Sequence, residues 1–457
     1  MNFILICCDS LRQDHLGVYD GLAKTPNLDR FAEECAVFTR LRSEALPTVP
    51  CRRSLQTGIR VFPWEQGRVR PKGIYNRHSG WLPLRESDVT IAEHLLERDY
   101  VTGMVIDVYH LMKPAMNFHR GMRSFNFIRG QEFDQWKSAP LPDGALDRYI
   151  PADCPERRLR VFTQFMQNQQ GEIERGEEGY QVARVMSEAI RWLEGNAGHG
   201  DFYLWVDSFD PHEPWLYPHE YCETYDPGYQ GKEWIYPNIL PYAQMTEAEI
   251  NHAKALYKGH VSFVDRWVGK LLDTIDRLGL KEDTMIVFIS DHGKTIGDRN
   301  NFGMSNKDSS RFLYDTPCLV YHPEGIGRGQ RFDQWIYTID LPATALNFLG
   351  EEQIPGIEGR SILPIMRGEQ EKLRDYAICG YSEVACVWKD DFVLVRDDEL
   401  GTEGLFNAWE DKEQQHDLAG DLPELRQELA GYLDELLAEG PRPGSDDAGQ
   451  RATPSPL

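Results

Sequence analysis

Basic residues are scarce in this chain: 49 Lys and Arg stand against 73 Asp and Glu, a formal net charge of -24. That balance excludes a general nucleic-acid binder, whose affinity rests on Lys and Arg neutralising phosphates. It does not exclude a small anionic ligand, because a local basic pocket can sit in an acidic protein. No run of the sequence approaches the roughly 20 apolar residues that a membrane-crossing helix needs. The opening residues, Met1 to Asp9, lack the basic start and cleavage site of a secretory leader. Nine cysteines without regular spacing or a CxxC pair make neither a disulfide framework nor a thiolate zinc site. These absences lead to the expectation of a cytoplasmic protein with reduced thiols, acting on a small anionic partner without membrane or nucleic acid. A homo-oligomer stays open.

What is present is enough apolar material to fold, 41% hydrophobic residues in a chain of 457. Continuous apolar runs at Phe3 to Cys8, Val101 to Ile106, Phe202 to Val206 and Met285 to Ile289 read as buried strands. Helical patterns lie between them, at Pro26 to Ala36, Val89 to Glu97, Tyr180 to Glu194 and Glu247 to Leu278. Pro26 suits a first helical turn with Thr25 as its cap. Alternating strands and helices point to an α/β fold with a mixed, mostly parallel sheet covered on both faces. We expect a catalytic domain over residues 1–370, with insertions at about 120–180 and 213–241 walling a site. A small α+β subdomain with an antiparallel sheet is expected over 371–439, and a disordered tail over 440–457.

Ligands of such sheets bind beyond the carboxyl ends of the strands. Asp9 follows the first strand and Ser290-Asp291-His292-Gly293 follows the last, so the two can meet at one edge. Asp9, Asp291 and His292 offer hard oxygen and imidazole donors, a divalent-metal set. The plainer reading of a lone Asp after a strand is a cap or turn residue.

Four segments carry the chemistry. They are Asp9 to Gly17, Thr48-Val49-Pro50-Cys51-Arg52 with Thr57-Gly58, Asp210-Pro211-His212, and Ser290 to Gly293 with Gly297-Asp298. In this order they resemble the sulfatase family of the alkaline phosphatase superfamily, out to Gln415-His416-Asp417-Leu418. The resemblance implies a sulfatase-like sandwich and one divalent ion held by Asp9, Thr48, Asp291 and His292. It also implies contacts from Arg52, His212 and His110 to the transferred group. Two departures follow. The family's formylglycine cysteine is replaced by Thr48, with Pro50, Arg52, Thr57 and Gly58 in register; Cys51 lacks the proline two residues later. Ser10 stands where most sulfatases place another metal-binding Asp, which favours manganese or zinc, with calcium possible.

The family's substrate lysines are displaced as well, and Lys113 and Lys307 are the candidates for them, against the plain reading of solvated surface residues. Threonine cannot form the gem-diol through which formylglycine expels sulfate, so a Thr48 nucleophile implies a phosphate mono- or diester hydrolase. This pattern is similar to phosphonate monoesterase and phosphodiesterase members. The alternatives are a sulfate-ester hydrolase, a phosphoryl-group transferase, or an oxyanion-binding pseudoenzyme.

Overall fold

The computed structural model describes residues 1–65, 78–151, 154–239, 241–305 and 309–441. Lys307 and nearly all of the expected tail lie outside the described residues.

Strand β1 (Asn2–Cys8) is the centre of a nine-stranded sheet. Its alternation explains why every residue is apolar or buried: Ile4, Ile6 and Cys8 face one hydrophobic layer, Phe3, Leu5 and Cys7 the other. On one side it pairs in parallel with β6 (Phe202–Ser208), then β4 (Val101–Ile106) and β5 (Ser124–Phe127). On the other side lies β7 (Thr284–Ser290), also parallel. The strand Thr316–Tyr321 then runs antiparallel between β7 and β2 (Cys35–Arg42). The fold is therefore a mixed α/β sheet, mostly parallel, with helices on both faces.

Expected and observed helices differ where a strand intervenes. Helix α1 covers Pro26–Ala32 rather than reaching residue 36, because Cys35 opens β2. Thr25 occupies its N-cap position, yet its hydroxyl donates to Asp29 Oδ1 at 3.0 Å instead of accepting a helix amide. The amides of Asn27 and Leu28 are met by the Asp265 carboxylate at 3.2 and 2.8 Å. Asp265 sits on the long helix Glu247–Arg277, which starts with a reciprocal Thr246–Glu249 cap.

A second, five-stranded sheet contains Ala377–Tyr381, Val384–Lys389, Phe392–Asp397 and Thr402–Asn407, joined antiparallel. Its other edge is β3 (Ala45–Leu46), which pairs in parallel with Ala377–Tyr381. That pairing matters for the site, since β3 leads directly into helix α2 (Thr48–Thr57). Helix Pro423–Glu439 packs on this sheet through Leu429 and Leu433. Among the described residues no helix is long and apolar enough to cross a membrane.

Candidate active site

The parallel strands β1 and β7 are hydrogen-bonded in register from Asn2–Thr284 to Cys8–Ser290, so both end at the same level. The residues that follow them, Asp9 and Asp291-His292, are thereby brought side by side. One donor atom from each of Asp9, Asp291 and His292 lies within 4.8 Å of the others, and all three residues are buried. The turn that holds them is tight. Ser10 has a φ of 60°, a left-handed conformation that costs a non-glycine residue energy. At Gly293 a Cβ would collide with the Phe312 carbonyl, so glycine alone lets this turn pass.

Each donor is aimed by a second interaction. Asp291 Oδ1 accepts the amides of Ser10 and His292 at 3.0 and 2.8 Å, while its Oδ2 accepts from Arg52 Nη1. His292 Nδ1 donates to the Gly293 carbonyl at 3.0 Å, so its Nε2 lone pair faces inward. Burial lowers the His292 pKa, holding the ring neutral as a ligand must be. Asp9 Oδ1 accepts the Ser10 hydroxyl at 2.9 Å, while Oδ2 accepts no hydrogen bond among the described residues. The Arg52 Nη1 atom stands 3.0 Å from that oxygen, close enough to pair charge but misaligned for a bond. Two carboxylate oxygens and one imidazole nitrogen converging in a dry site fit a divalent ion.

Thr48 opens α2, and its Oγ1 lies 3.4 Å from His292 Nε2. The hydroxyl sits at the positive end of a ten-residue helix. Cys51, one turn on, is completely buried against Ser43, with Sγ to Oγ at 3.2 Å. Burial pushes its thiol pKa up to about 12. Arg52 is also fully buried. Its guanidinium holds Asp207 at 2.8 and 3.1 Å and touches Asp291 as well as Asp9. It therefore points at the carboxylates rather than into the open cleft.

That cleft, of about 1190 Å³, is walled by Thr48, His110, Lys113 and His212 among others. His212 donates Nδ1–H to the Glu213 carbonyl at 2.7 Å and stacks on Phe209 at 4.2 Å. Burial, then the Lys294 charge, hold its pKa well below the ordinary value, so the ring is neutral. His110 Nε2 meets Glu132 Oε2 at 3.2 Å, and its Nδ1 has no partner among the described residues. Lys113 lies 4.9 Å from the Tyr109 ring centre, its pKa lowered by burial.

A family model described as Sulfatase matches residues 1–351. The chain belongs to the sulfatase family. It is a hydrolase of the alkaline phosphatase superfamily, whose reaction class is cleavage of phosphoric or sulfuric ester bonds. Among related sequences, the multifunctional alkaline phosphatase superfamily protein PehA of Trinickia caryophylli is 24% identical over 418 residues, 80% of this chain and 77% of its own. Human iduronate 2-sulfatase is 25% identical over 405 residues, covering 80% of this chain and 68% of its own. Among solved structures, the phosphonate monoester hydrolase of Agrobacterium radiobacter superposes with a TM-score of 0.71 at 20% identity. It covers 96% of this chain and 95% of its own, which establishes the fold.

Three further residues belong to this sulfatase-family site and escaped the sequence reading. Lys294 is fully buried and ion-paired with Glu213, with burial pulling its pKa down against Asp9 and Glu132. It directly follows Gly293, so the strand-end turn itself was the available signal. Glu132 accepts from Tyr109 and Tyr236 at 3.1 and 3.0 Å, besides His110. Burial raises its pKa, but the hydrogen bonds from His110 and Tyr236 and the His110 and His212 charges together outweigh burial and hold it low. Asp207 is the penultimate residue of β6 and holds Arg52. The last two gave no local signal, since only the assembled sheet brings them in.

Proposed function

We propose that this sulfatase-family chain hydrolyses phosphate mono- or diesters, phosphonate esters included, with Thr48 as nucleophile. The observation that carries the reading is the Thr48 hydroxyl, at a helix N-terminus, in the cleft wall and 3.4 Å from His292 Nε2. A divalent ion, manganese or zinc by its donor set, would be held by Asp9, Asp291, His292 and Thr48. Such an ion lowers the pKa of a bound hydroxyl and screens oxyanion charge.

The chain's own residues do the rest. Thr48 Oγ attacks phosphorus, and the free amides of the first turn of α2 face the charge that develops there. The bond from phosphorus to the leaving oxygen breaks. His212, neutral at rest with its Nδ1 pinned, takes the threonine proton on Nε2 and passes it to that oxygen. Water then cleaves the phospho-threonine and Thr48 regains its proton. Arg52 balances the carboxylates of Asp9, Asp207 and Asp291, while His110, Lys113 and Lys307 are our candidates for contacts with the ester.

Sulfate-ester hydrolysis is the second reading, favoured by relatives such as human iduronate 2-sulfatase. Steady-state assays on matched aryl phosphate monoesters, phosphodiesters and sulfate esters decide between the two. Sustained turnover of a phosphate ester with little or single-burst release from sulfate supports the proposal. Faster sustained release from the sulfate ester refutes it.

A further inference from the structure

The cleft is larger than one reacting ester requires, since whole drug-sized ligands occupy roughly 300–1,000 Å³ and this space is about 1190 Å³. Its outer wall is helix α4 (Glu156–Gln169), part of the segment inserted between β5 and α5 (Gln181–Asn196). Four residues of α4 line the cleft: Arg157, Arg158, Arg160 and Val161. Val161 lies one turn on from both Arg157 and Arg158, and Arg160 one turn on from Arg157, so the cleft-lining side of the helix is broad and runs along its first two turns.

Three guanidinium groups on one wall stand out in a chain with 24 more acidic than basic residues (73 against 49). Their charge is only partly consumed locally. Arg160 pairs with Glu156 at 2.5 Å, an exposed pair that contributes little. Arg158 makes a long 3.4 Å contact to Asn238 Oδ1 from the second insertion. Arg157 is exposed at the rim.

The inner carboxylates of the cleft are engaged elsewhere, Glu132 by His110, Tyr109 and Tyr236, and Glu213 by Lys294. Glu383 lines the cleft from the turn after Tyr381 in the second sheet, not from α4. The cleft thus has a cationic end of its own, built from an insertion and separate from the Asp9–Asp291–His292 centre.

We propose that Arg157 and Arg158 form an anion subsite, and that the substrate is an ester carrying a second anionic group remote from the reacting one. The inference rests on the ester-hydrolase reading above and adds the substrate class to it. Planar guanidinium forks match carboxylate, sulfate and phosphate alike. Partial desolvation inside a cleft makes such pairs stronger than on open surface.

The test is calorimetric binding of alkylphosphonates with tethers of increasing length, ended by a carboxylate, a sulfonate or a neutral carboxamide. Full-length, metal-loaded protein is compared with the Arg157→Ala/Arg158→Ala double variant, whose melting temperature is checked alongside. At one range of tether lengths the charged ends are expected to bind about tenfold tighter than the carboxamide. That advantage shrinks with salt and disappears in the double variant, while carboxamide binding stays within twofold. The relative affinities of the carboxylate and sulfonate arms identify the favoured group. Equal affinity of charged and neutral ends in the wild-type protein, or an advantage that survives in the variant, overturns the subsite. Failure of every phosphonate to bind removes the oxyanion site as well, and with it the ester reading.

Discussion

Cys51 is the residue on which a formylglycine mechanism would have to rest, and replacing it separates the two chemistries. Its thiol is pushed up to about 12 by burial. That argues against Cys51 as a thiolate nucleophile; formylglycine carries no thiol, so it is tested separately by replacement and mass spectrometry. The side chain is fully buried and is not part of the cleft wall. Cys51→Ala therefore removes a packed sulfur and nothing catalytic. We expect a stability loss of roughly 1 kcal/mol from the lost burial and the small cavity. The kcat/KM for an aryl phosphate ester should stay within about twofold. Thr48→Ala should lower it by about a thousandfold or more, as loss of a covalent nucleophile does. The assay is kcat/KM for both variants, with melting temperatures to separate folding from chemistry. Loss of activity in a folded Cys51→Ala protein, or formylglycine at position 51 by mass spectrometry, refutes the reasoning.

Chelation should abolish turnover, and manganese or zinc should restore it, since Asp9, Asp291 and His292 bring donor atoms within 4.8 Å of one another; activity that survives exhaustive chelation contradicts the metal site. Glu132→Gln keeps the shape but weakens the hold on His110 Nε2, and kcat/KM should fall by about tenfold to a hundredfold; an unchanged value removes His110 from the mechanism. Asp265 has a folded pKa raised to about 6, chiefly by burial. The folded state then binds more protons than the unfolded between about pH 4 and 6, so this group's contribution is largest in acid and is lost as pH rises. Relative to Asp265→Asn, wild-type stability should drop by about 3 kcal/mol across that window. A pH-independent difference between the two would show that Asp265 does not titrate there.

The strands were legible because buried parallel strands are written as unbroken apolar runs: Val101–Ile106 has the expected bounds, and β1, β6 and β7 differ only at their ends. The expected helix Pro26 to Ala36 overlaps the first two residues of β2, Cys35 and Ala36, since no turn residue breaks the pattern there. Within the site, residues adjacent to strand ends could be read because register alone brings them together. Glu132 and the arginines of α4 could not, because their approach depends on how an irregular insertion folds back over the cleft. Lys294 is the instructive case. It sits in the same turn as His292, yet a buried lysine gains meaning only when Glu213 is seen beside it.

The central claim is that Thr48 carries the phosphoryl group. Its most direct test is mass spectrometry of protein quenched in acid during turnover of a phosphate ester, followed by peptide mapping. The account predicts one added phosphoryl group on the peptide containing Thr48, absent from Thr48→Ala. A protein that turns over the ester steadily with no such adduct, or with the adduct on another residue, would contradict it.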